Sequence, residues 1–232
     1  MDIVYISLLT LLASLVGTIS GFGTSTIMIP VLVMFFPPVE AILLVAIIHW
    51  FGDLWKVTLF RQGFNLRLLL LFGGVGLLTS YLGASLSLGA HEDLLQRLLG
   101  VFLAGYAVFL VGQKRFKMHP GNATALTGGA ISGFFAGLFG IGGPVRSMFL
   151  SVFDLPKAVY IATAGAIDLL VDVTRVATYF TGGATLPERL WWSLLILIPI
   201  SFFGAQVAKR LVDKIPKINF VWWWQFSCWQ SV

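Results

Sequence analysis

The chain is poor in charge and nearly without sulfur chemistry. Only 11% of its 232 residues are Asp, Glu, Lys or Arg, against 58% hydrophobic, and the mean hydropathy is +0.92. That is too little polar surface to coat a water-soluble globule. A single cysteine, Cys228, excludes an internal disulfide and a thiolate metal cluster, and neither a His-x-x-x-His nor a Cys-x-x-Cys spacing occurs. The Gly21-x-Gly23 pair has no βαβ pattern around it and no Walker lysine after it, so nucleotide binding is discarded. There is no His-Glu-x-x-His, and no Ser or Thr has a His-Asp partner arranged as a triad, so membrane-protease chemistry has no support. The expectation is no catalytic residue, no metal and no cofactor. The formal charge of +5 does not call for nucleic acid, because Lys and Arg fall mainly in short segments between apolar runs.

What is present is a series of apolar segments, at 3–20, 24–36, 39–61, 66–88, 94–112, 124–139, 144–153, 157–180, 187–208 and 216–231. The first lacks a basic n-region and an Ala-x-Ala site and reads as a retained span. The fold class is therefore all-α, a polytopic transmembrane helical bundle whose first partner is the lipid bilayer. Sliding the sequence on itself by 119 residues superposes Gly21 on Gly140, Gly23 on Gly142, Asp53 on Asp172, Lys56 on Arg175 and Gly63 on Gly182. That register predicts two homologous repeats, 1–112 and 124–232, joined by a basic linker, 113–123. Basic loops at Gln113–His119 and Lys209–Lys217 belong in the cytoplasm, and the acidic Gly89–Asp93 belongs outside. Counting back places Arg61–Arg67 inside and its counterpart Thr181–Glu188 outside, so the repeats are expected to be inverted. Segments 24–36 and 144–153 are short for a span, and each suits half of a re-entrant hairpin or of a glycine-broken helix. A parallel four-plus-four arrangement is the alternative. The Trp-rich stretch Ile218–Val232 reads as a poor or interfacial span.

The repeats centre on two glycine breaks, Gly21-Phe-Gly-Thr-Ser-Thr26 and Gly140-Ile-Gly-Gly-Pro144. Irregular backbone inside a bilayer survives only where protein or a polar cavity surrounds it. Where a helix restarts after such a break, its first amides have no intrahelical partner and the dipole favours an anion. Thr24, Ser25 and Thr26 add hydroxyls at the first break; Gly142, Gly143 and Pro144 allow close approach at the second, and Arg146 adds a guanidinium. These residues, with Gly21, Gly23 and Gly140, form the candidate anion site. The competing reading is that the glycines only let helices pack closely.

Asp53-x-x-Lys56 and Asp172-x-x-Arg175 place opposite charges on one helix face inside apolar segments. His49 and Asp168 hold equivalent positions one turn earlier. Intramembrane charges usually face a cavity or a partner, so all six are candidates for a proton or charge relay, with protons as a coupling ion. Against this, each Asp can simply neutralise its neighbour, Lys56 and Arg175 can snorkel, and His49 can be a packing residue.

The motifs Ser20-Gly-Phe-Gly-Thr-Ser-Thr-Ile-Met-Ile-Pro30 and Gly137-Leu-Phe-Gly-Ile-Gly-Gly-Pro144, with Ala-rich helices after each break (Ala41–Ala46, Ala158–Ala166), resemble the TauE/SafE family, also called the sulfite exporter or toluene-sulfonate uptake permease family. The resemblance spans nearly the whole chain. It implies a multi-pass inner-membrane carrier, without an ATPase subunit, for a small anionic substrate such as sulfite or a sulfonate. Such a carrier would work by rocking one half against the other around a midplane site. A channel or passive pore, and more remotely an intramembrane enzyme or assembly factor, are the other function classes. A homo-oligomer is compatible with all of them.

Overall fold

The computed structural model describes residues 2–21, 23–60, 63–112 and 118–214. Phe22 of the first break, Arg61, residues 113–117 of the basic linker, Cys228 and the Trp-rich stretch lie outside the described residues. Among the described residues there are nine helices and no strand. They are α1 (Ile3–Ser20), α2 (Ser25–Leu32), α3 (Pro38–Leu59), α4 (Leu66–Gly89), α5 (Glu92–Gly112), α6 (Asn122–Phe139), α7 (Gly143–Ser151), α8 (Lys157–Thr181) and α9 (Glu188–Lys214). By length and composition α1, α3, α4 and α9 can each cross a bilayer. Polarity is inverted relative to a water-soluble protein. Leu8, Leu12, Leu78, Leu82, Leu195 and Phe203 face outward, while Asp53, Lys56, Arg146, Asp168, Asp172 and Arg175 are buried. The molecule is an all-α, multi-pass membrane protein.

Local chemistry sets the helix ends, and it does so at the same 119-residue interval. Gly21 closes α1 with φ 74° and ψ 0°, and Gly140 closes α6 with φ 74° and ψ 5°, left-handed conformations that glycine adopts without penalty. Their amides return to Gly17 O (3.0 Å) and Ala136 O (2.9 Å). Pro37 and Pro156, with nearly identical backbone angles, precede α3 and α8, since an extended residue there cannot continue a helix.

Two departures from the sequence reading have plain causes. The basic stretch from Lys209, expected as a loop, continues α9 to Lys214. Val212 is buried there and Lys209 pairs with Asp213 across one turn at 2.7 Å, so the stretch is an amphipathic helix end. The acidic residues Glu92 and Asp93, also expected in a loop, form the first turn of α5, where the helix dipole favours negative charge. Unforeseen is a single π-helical turn, Leu69–Gly73, inside α4.

The helices pair across the chain. α3 lies along α8, α4 along α6 and α1 along α9. On α6, a Cβ on Gly129, Gly133 or Gly137 would strike the carbonyl oxygens of Phe72, Gly76 and Ser80 in turn. The constant offset makes α4 and α6 parallel, with backbones touching through a small-residue stripe. α3 and α8 run antiparallel, for His49 meets Asp172 while Lys56 lies against Gly165. One hydrophobic cluster is built mainly from α1, α2, α3, α5 and α9, the other mainly from α4, α6, α7 and α8. The fourth helix of each predicted repeat thus packs with the other repeat.

Candidate functional site

The contact between α3 and α8 carries the buried charge of the protein. His49 Nδ1 hydrogen-bonds Asp172 Oδ2 at 2.6 Å, with Asp53 Oδ2 2.9 Å away on its own helix. Lys56 Nζ pairs with Asp53 Oδ1 at 2.6 Å and Arg175 Nη2 with Asp172 Oδ1 at 2.8 Å, the two i,i+3 pairs expected from spacing. Arg146, from the first turn of α7, forms an ion pair with Asp168 through Nη1 and donates from Nη2 to Gly21 O at 3.0 Å. Ser147 Oγ donates to the same carbonyl, also at 3.0 Å. Asp168 turns its other oxygen toward His49 Nε2 at 3.9 Å. None of the seven ionisable residues is more than 4% exposed.

With His49 neutral, the ring nitrogen facing two carboxylates is the one that carries the imidazole proton, which leaves Nε2 as an acceptor. The layer then sums to zero, with Asp53, Asp168 and Asp172 against Lys56, Arg146 and Arg175. Neutrality is what makes so many buried charges tolerable, because an uncompensated one costs several kcal/mol. His49, Asp53 and Asp172 bring one donor atom each within 4.8 Å of one another, a spacing that could also suit a cation. A ring N–H aimed at a carboxylate already explains that convergence, and the second oxygen of each carboxylate is held by Lys56 or Arg175. These contacts are those of a hydrogen-bond node.

Both breaks border this layer. Gly21, Gly23, Thr24, Ser25, Gly140, Gly142, Gly143 and Pro144 are buried, and Thr26 is half-buried. Gly23, at φ 82°, lies directly on the His49 ring, so that a Cβ there would overlap Nε2. A Cβ on Gly140 would come within 3.0 Å of Arg175 Nη1. The atoms that meet the two arginines are carbonyls at helix C-terminal ends, Gly21 O for Arg146 and Ala136 O, at 3.1 Å, for Arg175. These ends carry partial negative charge and suit a guanidinium. The N-terminal turns of α2 and α7 stand beside the same breaks. Arg146 is committed to Asp168 in this arrangement, so an anion reaching it has a carboxylate to displace.

Sequence reasoning singled out all seven ionisable residues but missed how Arg146 and Asp168 pair. A signal existed: once Asp53–Lys56 and Asp172–Arg175 are matched, those two are among the charges left over in the apolar segments, with opposite signs. It also missed Ser147, Tyr160, whose ring packs on Gly21, and Tyr179, whose hydroxyl donates to Gly137 O at 2.9 Å. Aromatic and hydroxyl residues in a membrane helix give no periodic signal. A hollow of about 250 Å³ between α3 and α8 is lined only by Ile47, Trp50, Val173, Val176 and Ala177 and opens outward; it is apolar and separate from the charged layer.

Residues 6–223 match the family model described as Sulfite exporter TauE/SafE. No curated protein and no solved structure matches the chain.

Proposed function

The chain belongs to the sulfite exporter TauE/SafE family of membrane transporters, and on that premise we propose that it moves small sulfur-containing anions, sulfite and sulfonates, by proton-coupled alternating access. The observation that carries this reading is the neutral charged layer at the α3–α8 contact, bordered by both helix breaks and closed to either side. Arg146 is the group that takes the oxyanion, because a guanidinium offers paired donors to a sulfonate as it does to a carboxylate. The first-turn amides of α2 and α7 and the hydroxyls of Thr24, Ser25 and Thr26 complete its coordination. His49, with Asp53, Asp168 and Asp172, holds the proton; Lys56 and Arg175 fix the two outer carboxylates.

Two inverted repeats, 1–112 and 124–232, account for the architecture. In support, helix ends recur at a 119-residue interval and the equivalent helices α3 and α8 run antiparallel. Alternating access then rocks the body built around α1, α2, α3 and α9 against that built around α4, α6, α7 and α8, with the charged layer at their contact. The cell inner membrane is the expected location.

The reading is tested by reconstitution in liposomes with a panel of sulfite, sulfonates and carboxylates, with and without a pH gradient. Saturable uptake of a sulfur anion, accelerated by an inward proton gradient and lost in Arg146→Ala while membrane insertion persists, is the expected result. Unchanged flux in Arg146→Ala removes that residue from the site. Flux that neither saturates nor responds to the gradient identifies a pore instead.

A further inference from the structure

Several buried polar atoms of the charged layer have no hydrogen-bond partner, and His49 Nε2, Asp168 Oδ2 and Arg146 Nε are among them. The first two face one another at 3.9 Å, too far for a hydrogen bond. With the imidazole proton on Nδ1 both atoms are acceptors, so neither has anything to give the other. One added proton changes that relation. On Nε2 it makes a donor aimed at the free oxygen of Asp168, the carboxylate that occupies Arg146.

We propose that Asp168 is a tethered stand-in for the transported anion, exchanging between Arg146 and protonated His49, so that each monovalent anion enters with one proton and transport is electroneutral. This deepens the transport reading above and rests on it. In the empty carrier Asp168 neutralises Arg146. An incoming sulfonate takes over the guanidinium and releases Asp168, which leaves a fourth negative charge in a layer with three cations. A proton from the aqueous side to which the pathway is open then adds to the Nε2 lone pair, and Asp168 closes the 3.9 Å gap to become its acceptor. Four anionic groups now face four cationic ones. Bringing in either the anion or the proton alone would bury a net charge, so each favours binding of the other, as linkage demands.

Every group facing the switch fits this account. On its own helix His49 faces Asp53, which Lys56 holds. From α8 it faces Asp168 and Asp172, the latter held by Arg175. The first break presents only the Gly23 backbone. Arg146 has Asp168, Gly21 O and Ser147 around it, and its charge also interacts with Asp53, Asp172 and Tyr160, whose ring packs on Gly21. In this scheme the carboxylates stay ionised and Tyr160 neutral when the proton arrives, so the expected stoichiometry is one.

The test uses the full chain in proteoliposomes with methanesulfonate, a fixed monovalent anion, and with sulfite. For the wild type, the half-saturating methanesulfonate concentration is expected to fall about tenfold for each unit decrease in pH, as one linked proton requires. Flux should not respond to a potassium–valinomycin potential. Asp168→Asn removes the stand-in and its charge; this variant should lose the pH slope to about twofold or less per unit and become driven by membrane potential. Should Asp168→Asn not insert, the wild type in detergent supplies the second measurement, with uptake of one proton from weak buffer per methanesulfonate bound. Wild-type flux that tracks potential as one charge per anion, an Asp168→Asn slope equal to the wild type, or no proton uptake on binding would each overturn the switch while leaving transport intact. Absence of saturable uptake of either anion by the wild type would instead sink the transport reading, and the switch with it.

Discussion

Set at the 119-residue interval, the two halves agree at some buried positions and part at others, and the positions where they part are the ones where chemistry concentrates. Asp53 with Lys56 and Asp172 with Arg175 are the same device twice, a carboxylate pinned by a cation one turn on. His49 stands where the second half has Asp168, and Ile27 where it has Arg146. The repeated pairs hold two carboxylates in place beside His49. The unrepeated residues meet at the α3–α8 contact, where the proposed function uses one as the group that exchanges a proton and one as the group that holds an anion. A pseudo-symmetric frame can position a site, but a site alike in both halves would have no preferred place for a single ligand.

The largest expected effect comes from breaking the repeated element. Asp172→Asn leaves Arg175 buried without its carboxylate and should cost about 3–5 kcal/mol, read as a lowered unfolding temperature in detergent. Asp53→Asn should cost less, because a lysine stranded in an apolar interior can surrender its proton and an arginine cannot. Equal losses would show that the cation type does not matter here. A second variant pair sharpens the comparison by making the halves alike. His49→Asp alone adds a fourth carboxylate and destabilises; adding Ile27→Arg supplies a fourth cation and should restore about 0.5–3 kcal/mol of coupling energy in a double-mutant cycle. No recovery would mean that residue 27 does not face the layer as residue 146 does. The smallest effect concerns the breaks. Gly21→Ala and Gly140→Ala each force a side chain into the left-handed region, a cost of about 1–2 kcal/mol before packing is counted. Similar shifts in unfolding temperature would mark the two turns as equivalent, and a clear excess at one would show which neighbour, Tyr160 or Ile29, yields less.

Most of the helical frame was legible because hydropathy and punctuation agree. The glycines at 21 and 140 and the prolines at 37 and 156 mark ends that the helices respect, and the apolar run 3–20 matches α1 residue for residue. The i,i+3 ion pairs were legible for the same reason, since they depend only on helical spacing. What could not be read is whatever depends on which helices touch. The seam of Gly129, Gly133 and Gly137 against α4 is, in sequence, indistinguishable from the glycines of the breaks, yet it serves close packing alone. The partner of Arg146 lies on another helix, and Phe72 in the π-helical turn sits against Gly128 of α6, a contact no local pattern encodes.

The pairing of α1 with α9 also has a consequence for biogenesis. α1 finds this packing partner only once α9, far along the chain, has emerged from the ribosome, and until then its small-residue face is open to the lipid or to whatever insertion machinery shelters it. A ribosome stall before α9 would therefore leave α1 unclaimed, a defect that quality-control proteases would read at α1 rather than at the point of arrest.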